Sequence, residues 1–160
     1  MHKPFNLCGL LAAMLMNASV YAGDIQVEDV WIRATVPEQE SASADMTITS
    51  KQNAMLIGMS TPACRTVEMH SMTIQNSMMK MREVKTIDLP AGKRVELGAI
   101  GYHLMLVGLK APLKAGEVIP LALTIKLASE RTVKVEAKAV VKPLTAANAA
   151  AQEDKHEHQH

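Results

Sequence analysis

Cysteine is scarce in this chain, which has only Cys8 and Cys64 among its 160 residues. Cys8 lies in an N-terminal segment that we expect to be removed, so Cys64 would remain alone and no internal disulfide could form. Stability must then come from packing, even in an oxidising compartment.

Aromatic residues are scarce as well, and the charges of the two signs nearly balance. Beyond residue 22 the aromatic residues are Trp31 and Tyr102. Removing residues 1–22 takes Lys3 from the 17 basic residues and none of the 16 acidic ones, so the formal charge falls to zero. A neutral chain with no basic run argues against nucleic acid or an anionic membrane surface as a partner.

The sequence also lacks a hydrophobic run long enough to span a bilayer. The apolar run at residues 7–16 has half of the roughly 20 residues that a transmembrane helix needs. A basic start, this short run and the small residues at 17–22 are typical of a signal peptide. We expect export with cleavage after about Ala22, and therefore no membrane insertion of the mature protein. A membrane anchor is the alternative, while Cys8 lies too early for a lipid-attachment site.

Short segments with alternating apolar and polar residues run through the rest of the chain. Val133, Val135, Ala137, Ala139 and Val141, for example, alternate with mostly polar neighbours. Residues 79–87 are expected to form one further strand. Such signals recur without any long helical period and predict an all-β sandwich or barrel. After Pro143 the composition changes to Ala, Asn and Gln, which predicts a flexible tail. The expected organisation is a signal peptide at 1–22, one β domain at 23–144 and a tail at 145–160.

Catalytic motifs are not apparent in the sequence. It contains no recognisable Ser/His/Asp set, paired carboxylates, HExxH motif or glycine-rich phosphate loop. We therefore do not expect an enzyme.

Histidine and methionine, in contrast, occur in pairs two residues apart. Residues i and i+2 of a strand leave the same face with Cα atoms about 6.6 Å apart, so each pair could supply half of a metal site. The pairs are His70 with Met72, Met79 with Met81, and His103 with Met105. Leu104 and Leu106 alternate with the last pair, so that segment is predicted to be a strand whose leucine face packs.

Packing is the alternative explanation for these residues, because methionine commonly fills gaps in protein cores. A single pair such as His103 and Met105 would favour packing. The second pair at His70 reverses that preference. Neutral thioethers and imidazoles bind Cu(I) better than zinc, which prefers thiolate, imidazole and carboxylate.

The sequence contains donors for two other kinds of copper site. A blue-copper centre needs a cysteine ligand, but Cys64 and His70 would lie about 20 Å apart on one strand. The tail carries nitrogen and oxygen donors suited to Cu(II), and both metal capture and a simply solvated tail stay open. These tail donors are His156, His158 and His160, with acidic residues beside them.

The long-range spacing of four donors resembles that of a known family. His70, ten residues, Met81, twenty-one residues, His103, one residue and Met105 match the H-x10-M-x21-H-x-M signature of the PCu(A)C-type periplasmic copper chaperones. Further similar stretches lie at residues 29–34, 67–72, 79–82, 89–92 and 101–110. The segment 43–46, Ser-Ala-Asp-Met, differs from the family's usual Ala-Tyr-Met.

The resemblance implies a cupredoxin-like Greek-key β-sandwich or barrel in the periplasm. It implies Cu(I) binding by His70, Met81, His103 and Met105, and Cu(II) binding by the tail in some members. The two-residue pairing, not the resemblance, adds Met72 and Met79 as accessory donors. Copper would pass toward cytochrome c oxidase assembly, to an oxidase subunit or a thioredoxin-like copper protein, and we expect a monomer. The alternatives are copper buffering or resistance, and a secreted β-sandwich interaction module with an incidental Met-rich patch.

Overall fold

The structure is a computed structural model that describes residues 20–98 and 100–144. The predicted signal peptide up to residue 19 and the predicted tail, with His156, His158 and His160, lie outside the described residues. The described ranges contain no helix that could cross a membrane.

All regular structure in the described residues is β-structure, which confirms the predicted all-β class. The strands are β1 (Val20–Ala22), β2 (Ile25–Arg33), β3 (Ser41–Ser50), β4 (Ala54–Ser60), β5 (Cys64–Gln75), β6 (Met78–Glu83), β7 (Ile87–Leu89), β8 (Arg94–Leu97), β9 (Tyr102–Leu109), β10 (Val118–Leu127) and β11 (Thr132–Lys142).

The strands join into one connected sheet in the order β6-β5-β9-β8-β3-β2-β11-β10-β4-β7, with β1 paired to β2 and a further pairing between β3 and β9. The β2–β11 and β8–β9 pairs are parallel, and β5 is antiparallel to both of its neighbours. The sequence assigned to the signal peptide includes β1, which runs antiparallel to the start of β2.

Alternation of apolar and polar residues produces one core from this long sheet. Side chains from β2, β3, β4, β5, β7, β8, β9, β10 and β11 belong to a single buried cluster, so the sheet curls around one interior. On β9, Leu104 and Leu106 are fully buried while His103 and Met105 are only partly buried. The pleat therefore fixes which face of β9 packs and which face is available for chemistry.

The β5–β6 hairpin extends beyond this core, and all six residues of β6 are exposed. Gln75 pairs with Met78, which leaves the two-residue turn Asn76-Ser77 with both φ angles positive, at 52° and 62°. Positive φ at both central residues is the type I′ geometry, whose twist matches that of the flanking strands. This tight turn sets the β5–β6 register and hence the position of Met81.

The region between β5 and β8 differs from its prediction. Residues 79–87 read as a single strand, but the structure divides the region into β6, paired with β5, and β7, paired with β4. These pairings lie at opposite ends of the strand order, so the chain has to cross between them around Lys85.

Candidate metal centre

His70 and His103 are direct cross-strand partners on β5 and β9. Opposed residues of an antiparallel pair have Cβ atoms about 4.5–5.5 Å apart, so the two imidazoles share one small region. Nδ1 of His70 and Nε2 of His103 are buried and have no hydrogen-bond partner. Because buried polar atoms are nearly always satisfied, two such nitrogens on opposed residues fit ligands of a metal ion.

Glu68 determines which nitrogen of His70 is free. Its Oε2 lies 2.9 Å from Nε2 of His70, and the His70 side chain is 16% exposed. When Nε2–H donates to this carboxylate, Nδ1 of the neutral ring keeps its lone pair. Carboxylates that accept from a ligating histidine fix its tautomer and orientation in metal sites.

The predicted sulfur donors surround this histidine pair. Met105 lies opposite Glu68 and is therefore diagonal to His70 on β9. Met81 lies opposite Met72 and is diagonal to His70 on the other side, on β6. Diagonal neighbours are about 7–8 Å apart, a gap that flexible thioether side chains can close. We call the surface formed by the two histidines and three methionines the His/Met face; its members are His70, Met72, Met81, His103 and Met105.

Met79 is placed differently from the other predicted donors. It pairs with Ile74, four residues along β5 from His70, which corresponds to about 13 Å. Its side chain is 68% exposed, compared with 52% for Met81. The register thus brings Met72 beside Met81 and leaves Met79 near the hairpin tip.

Harder donors do not form an alternative site in the described ranges. No three His, Cys, Asp or Glu residues there come close enough to hold a metal ion. Cys64 is buried at the far end of β5 from His70, and its Sγ donates to the carbonyl of Thr66 at 3.1 Å. Burial raises the pKa of the Cys64 thiol, which keeps it a neutral packing residue rather than a thiolate ligand.

The remaining methionines of the described residues lie at core, half-buried and surface positions, and Met55 on β4 is the half-buried one. Met46, Met59 and Met69 are buried in the core cluster, whereas Met78 at the hairpin is 60% exposed. Methionine count alone therefore does not identify the donors. The sheet face of each methionine instead separates the predicted donors from the methionines that pack in the core.

Asp45 is an acidic neighbour of the site that the spacing of His and Met did not reveal. Burial raises the pKa of its carboxyl, while the charges of Arg33, His103 and Lys142 act in the opposite direction. Glu68 could have been found by the same two-residue rule that paired His70 with Met72. Asp45 could not, because its proximity to His103 depends on the pairing of β3 with β9.

Comparison with known proteins identifies the family. Residues 25–137 match the model of the family described as "Putative lipoprotein LpqE-like". A protein of Leifsonia xyli subsp. xyli named "Putative lipoprotein Lxx21020" is 31% identical over 129 residues, which is 80% of this chain and 78% of that protein.

Solved structures give the same result for the fold. The copper-bound PCuAC domain from PmoF2 matches with a TM-score of 0.61 and 23% identity, over 79% of this chain and 100% of that domain. The solution structure of apo-DR1885 from Deinococcus radiodurans matches with a TM-score of 0.56 and 30% identity, over 90% and 93% of the two chains. The expected cupredoxin-like β fold and the resemblance to PCuAC proteins are thereby confirmed. This chain belongs to the LpqE-like family and has the fold of a PCuAC domain.

Proposed function

We propose that this protein is a copper chaperone that carries one Cu(I) ion on His70, Met81, His103 and Met105. The observation that carries the proposal is the pair of unpartnered buried nitrogens on the opposed residues His70 and His103, with thioethers at both diagonals. The presence of copper in the PCuAC domain from PmoF2 supports the choice of metal.

Ligand chemistry supports the oxidation state. Two thioethers and two neutral imidazoles are soft or borderline donors, which select Cu(I). They add no charge of their own, so the bound ion leaves one net positive charge in the partly buried site and the desolvation cost is small. Cu(I) is the cargo of this protein, and none of its own residues undergoes a covalent change.

The position of Met81 suggests how copper leaves. Met81 lies on the exposed edge strand β6, whereas both histidines and Met105 are only partly accessible. An incoming soft donor can therefore displace Met81 first while the other three ligands still hold the ion. Release then proceeds by ligand exchange, without free Cu(I) in solution.

The receiving protein would dock on the hairpin that presents Met81. Ile74, Met78 and Met79 are 74%, 60% and 68% exposed at its tip, and such apolar exposure is typical of interaction sites. We propose a periplasmic copper acceptor as the partner, either a cytochrome c oxidase subunit or a thioredoxin-like copper protein, and a monomeric chaperone. Buffering without delivery is the second function that the same site could serve.

Export is part of the proposal, with cleavage after about Ala22. The names of the family and of the Leifsonia protein describe lipoproteins, which supports a location outside the cytoplasm. Cys8 lies too early in the chain for the usual lipid attachment. Mass spectrometry of the secreted protein tests this: a mature chain that begins near residue 23 without lipid is expected, and a diacylglyceryl adduct on Cys8 would contradict it.

The function is tested by titrating the apo protein with Cu(I) against a chromophoric chelator. We expect one tightly held Cu(I) per chain. After oxidation of the bound copper to Cu(II) we expect no intense visible band, since a thiolate-free site lacks the charge transfer of blue copper. An interaction module with an incidental Met-rich patch would show no stoichiometric binding. Incubating the loaded protein with an apo oxidase copper domain then separates delivery, in which copper moves, from buffering, in which it stays.

A further inference from the structure

Asp45 lies at the point where β3 leaves β9 for β8. Ser43 pairs with Met105 and Ala44 with Leu104, and from Met46 onward β3 pairs with β8 instead. Continuing the first register by one residue places Asp45 beside His103. Because Asp45 and Ser43 are two residues apart, the Asp45 side chain lies on the His/Met face, next to the copper-binding imidazole.

Two cations lie on the other side of this carboxylate. Asp45 pairs with Trp31 on β2, and Arg33 and Lys142 place their charged groups 5.8 and 4.4 Å from the Trp31 ring centroid. Both cations and His103 are close enough to act electrostatically on Asp45. Across the sheet, the Asp45 carboxylate therefore lies between the two cations and the His103 imidazole.

Gly98 holds the carboxylate in this position. A Cβ atom on Gly98 would overlap Oδ1 of Asp45, so the Asp45 side chain rests directly on the Gly98 backbone. Gly98 also has a backbone φ angle of 139°, which residues other than glycine rarely adopt. The close approach gives Asp45 a defined place between Arg33 and His103.

We propose that Asp45 is a positioning residue of the copper site, and that its carboxylate orients His103 and shields the bound ion from Arg33 and Lys142. This inference rests on the proposed function. The four ligands are neutral, so a bound Cu(I) leaves a net positive charge that the two nearby cations oppose. A carboxylate placed between them offsets that repulsion. Glu68 is a second carboxylate beside a proposed ligand, since its Oε2 lies 2.9 Å from Nε2 of His70 on the same strand, β5.

The same charge has a second consequence. A carboxylate stabilises Cu(II) more than Cu(I), because its attraction grows with the charge of the ion. Removing the carboxylate should therefore raise the reduction potential of the bound copper as well as weaken Cu(I) binding. If Asp45 had only a structural role, its replacement would not change the reduction potential or the Cu(I) affinity in a way that depends on Arg33.

The test compares Asp45→Asn, Arg33→Gln and the double variant with wild type, using the full mature chain. The readouts are the Cu(I) dissociation constant from chelator competition, the reduction potential of the copper-loaded protein, and circular dichroism of each apo form. Asp88→Asn is the matched control, since Asp88 is an exposed carboxylate on β7 at the other end of the strand order.

We expect Asp45→Asn to weaken Cu(I) binding about tenfold, the lower end for loss of an outer-sphere partner of a metal ligand. Arg33→Gln should tighten binding, the double variant should return toward wild type, and Asp88→Asn should change nothing. Opposite signs for two neighbouring residues would not arise from a general loss of structure.

The inference is overturned if folded Asp45→Asn binds Cu(I) within twofold of wild type, or if its defect persists unchanged when Arg33 is also replaced. A wild-type protein that binds no Cu(I) would overturn the proposed function and this inference together. Wild-type binding with an unaffected Asp45→Asn variant would overturn this inference alone.

Discussion

His70 and His103 face each other across β5 and β9, each with one buried ring nitrogen that has no hydrogen-bond partner. The centre of the candidate site is therefore one cross-strand pair, His70 and His103, within the regular β-sheet. Because the core residues Met69 and Leu104 fill the opposite face of the same two strands, packing of the domain fixes the imidazoles in place. Sites on rigid elements keep their geometry better than sites on loops.

Copper affinity and fold stability should respond to different methionines. We expect Met81→Ala to weaken Cu(I) binding strongly with little effect on the apo protein, because Met81 is 52% exposed. Met59→Ala should lower the free energy of unfolding by about 2–5 kcal/mol with unchanged affinity, since Met59 is 8% exposed and lies in the core. Chelator competition and urea denaturation of both variants check this. Lost affinity in Met59→Ala with wild-type affinity in Met81→Ala would move the site elsewhere.

The two accessory methionines should differ from each other. Met72 lies directly opposite Met81 and two residues from His70, whereas Met79 lies opposite Ile74 near the hairpin tip. We expect Met72→Ala to reduce Cu(I) affinity moderately and Met79→Ala to leave it within about twofold of wild type. The two are matched controls for each other in the same chelator assay. A larger loss in Met79→Ala than in Met72→Ala would show that the β5–β6 register shifts when copper binds.

Stability of the apo protein should depend on pH through Asp45. Burial raises the pKa of this carboxyl above the ordinary 3.8 despite the opposing charges of Arg33, His103 and Lys142. The native state therefore holds the Asp45 proton more tightly than the unfolded chain does. Its stabilising contribution is complete below the unfolded pKa and is lost as the pH rises through the folded pKa.

Asp45→Asn carries no such proton and should gain stability relative to wild type as the pH rises. Urea denaturation of both apo proteins at about pH 3.5 and about pH 7 measures the difference, one value lying below and one well above the ordinary carboxyl pKa. In this one variant, copper affinity and apo stability are thus expected to change in opposite directions at neutral pH. A stability difference that is the same at both pH values would contradict the prediction.

The tail beyond the described residues is predicted to bind Cu(II) independently. Deleting residues 152–160 removes His156, His158 and His160 with their acidic neighbours, which are nitrogen and oxygen donors suited to Cu(II). We expect the truncated protein to lose a Cu(II) site and keep its Cu(I) affinity. Separate titrations with the two ions measure this, and equal loss of both would mean that the tail and the β domain share one site.

Local pattern was sufficient for much of the fold. The alternation on β11 and the Leu104/Leu106 pattern on β9 predicted both strands and their buried faces. The division of residues 79–87 was missed because it depends on pairing partners at opposite ends of the strand order, which local alternation does not encode.

The candidate site was also predictable only in part. Spacing placed His70 beside Met72 and His103 beside Met105, since those pairs lie within one strand. Spacing along the chain does not predict that Met79 lies farther from His70 than Met72 does, because this distance depends on the β5–β6 register. Asp45 is hidden for a similar reason, because it precedes His103 by 58 positions in the sequence (103 − 45) and only the sheet brings the two together.

The central claim is that one Cu(I) ion joins the unpartnered nitrogens of His70 and His103 to two methionine sulfurs. X-ray absorption at the copper edge of the Cu(I)-loaded protein tests it most directly, with Met81→Ala and His103→Ala measured beside wild type. We expect two nitrogen and two sulfur scatterers in wild type, one sulfur fewer in Met81→Ala and one nitrogen fewer in His103→Ala. A wild-type spectrum with sulfur ligands alone, or with no change in His103→Ala, would contradict the claim.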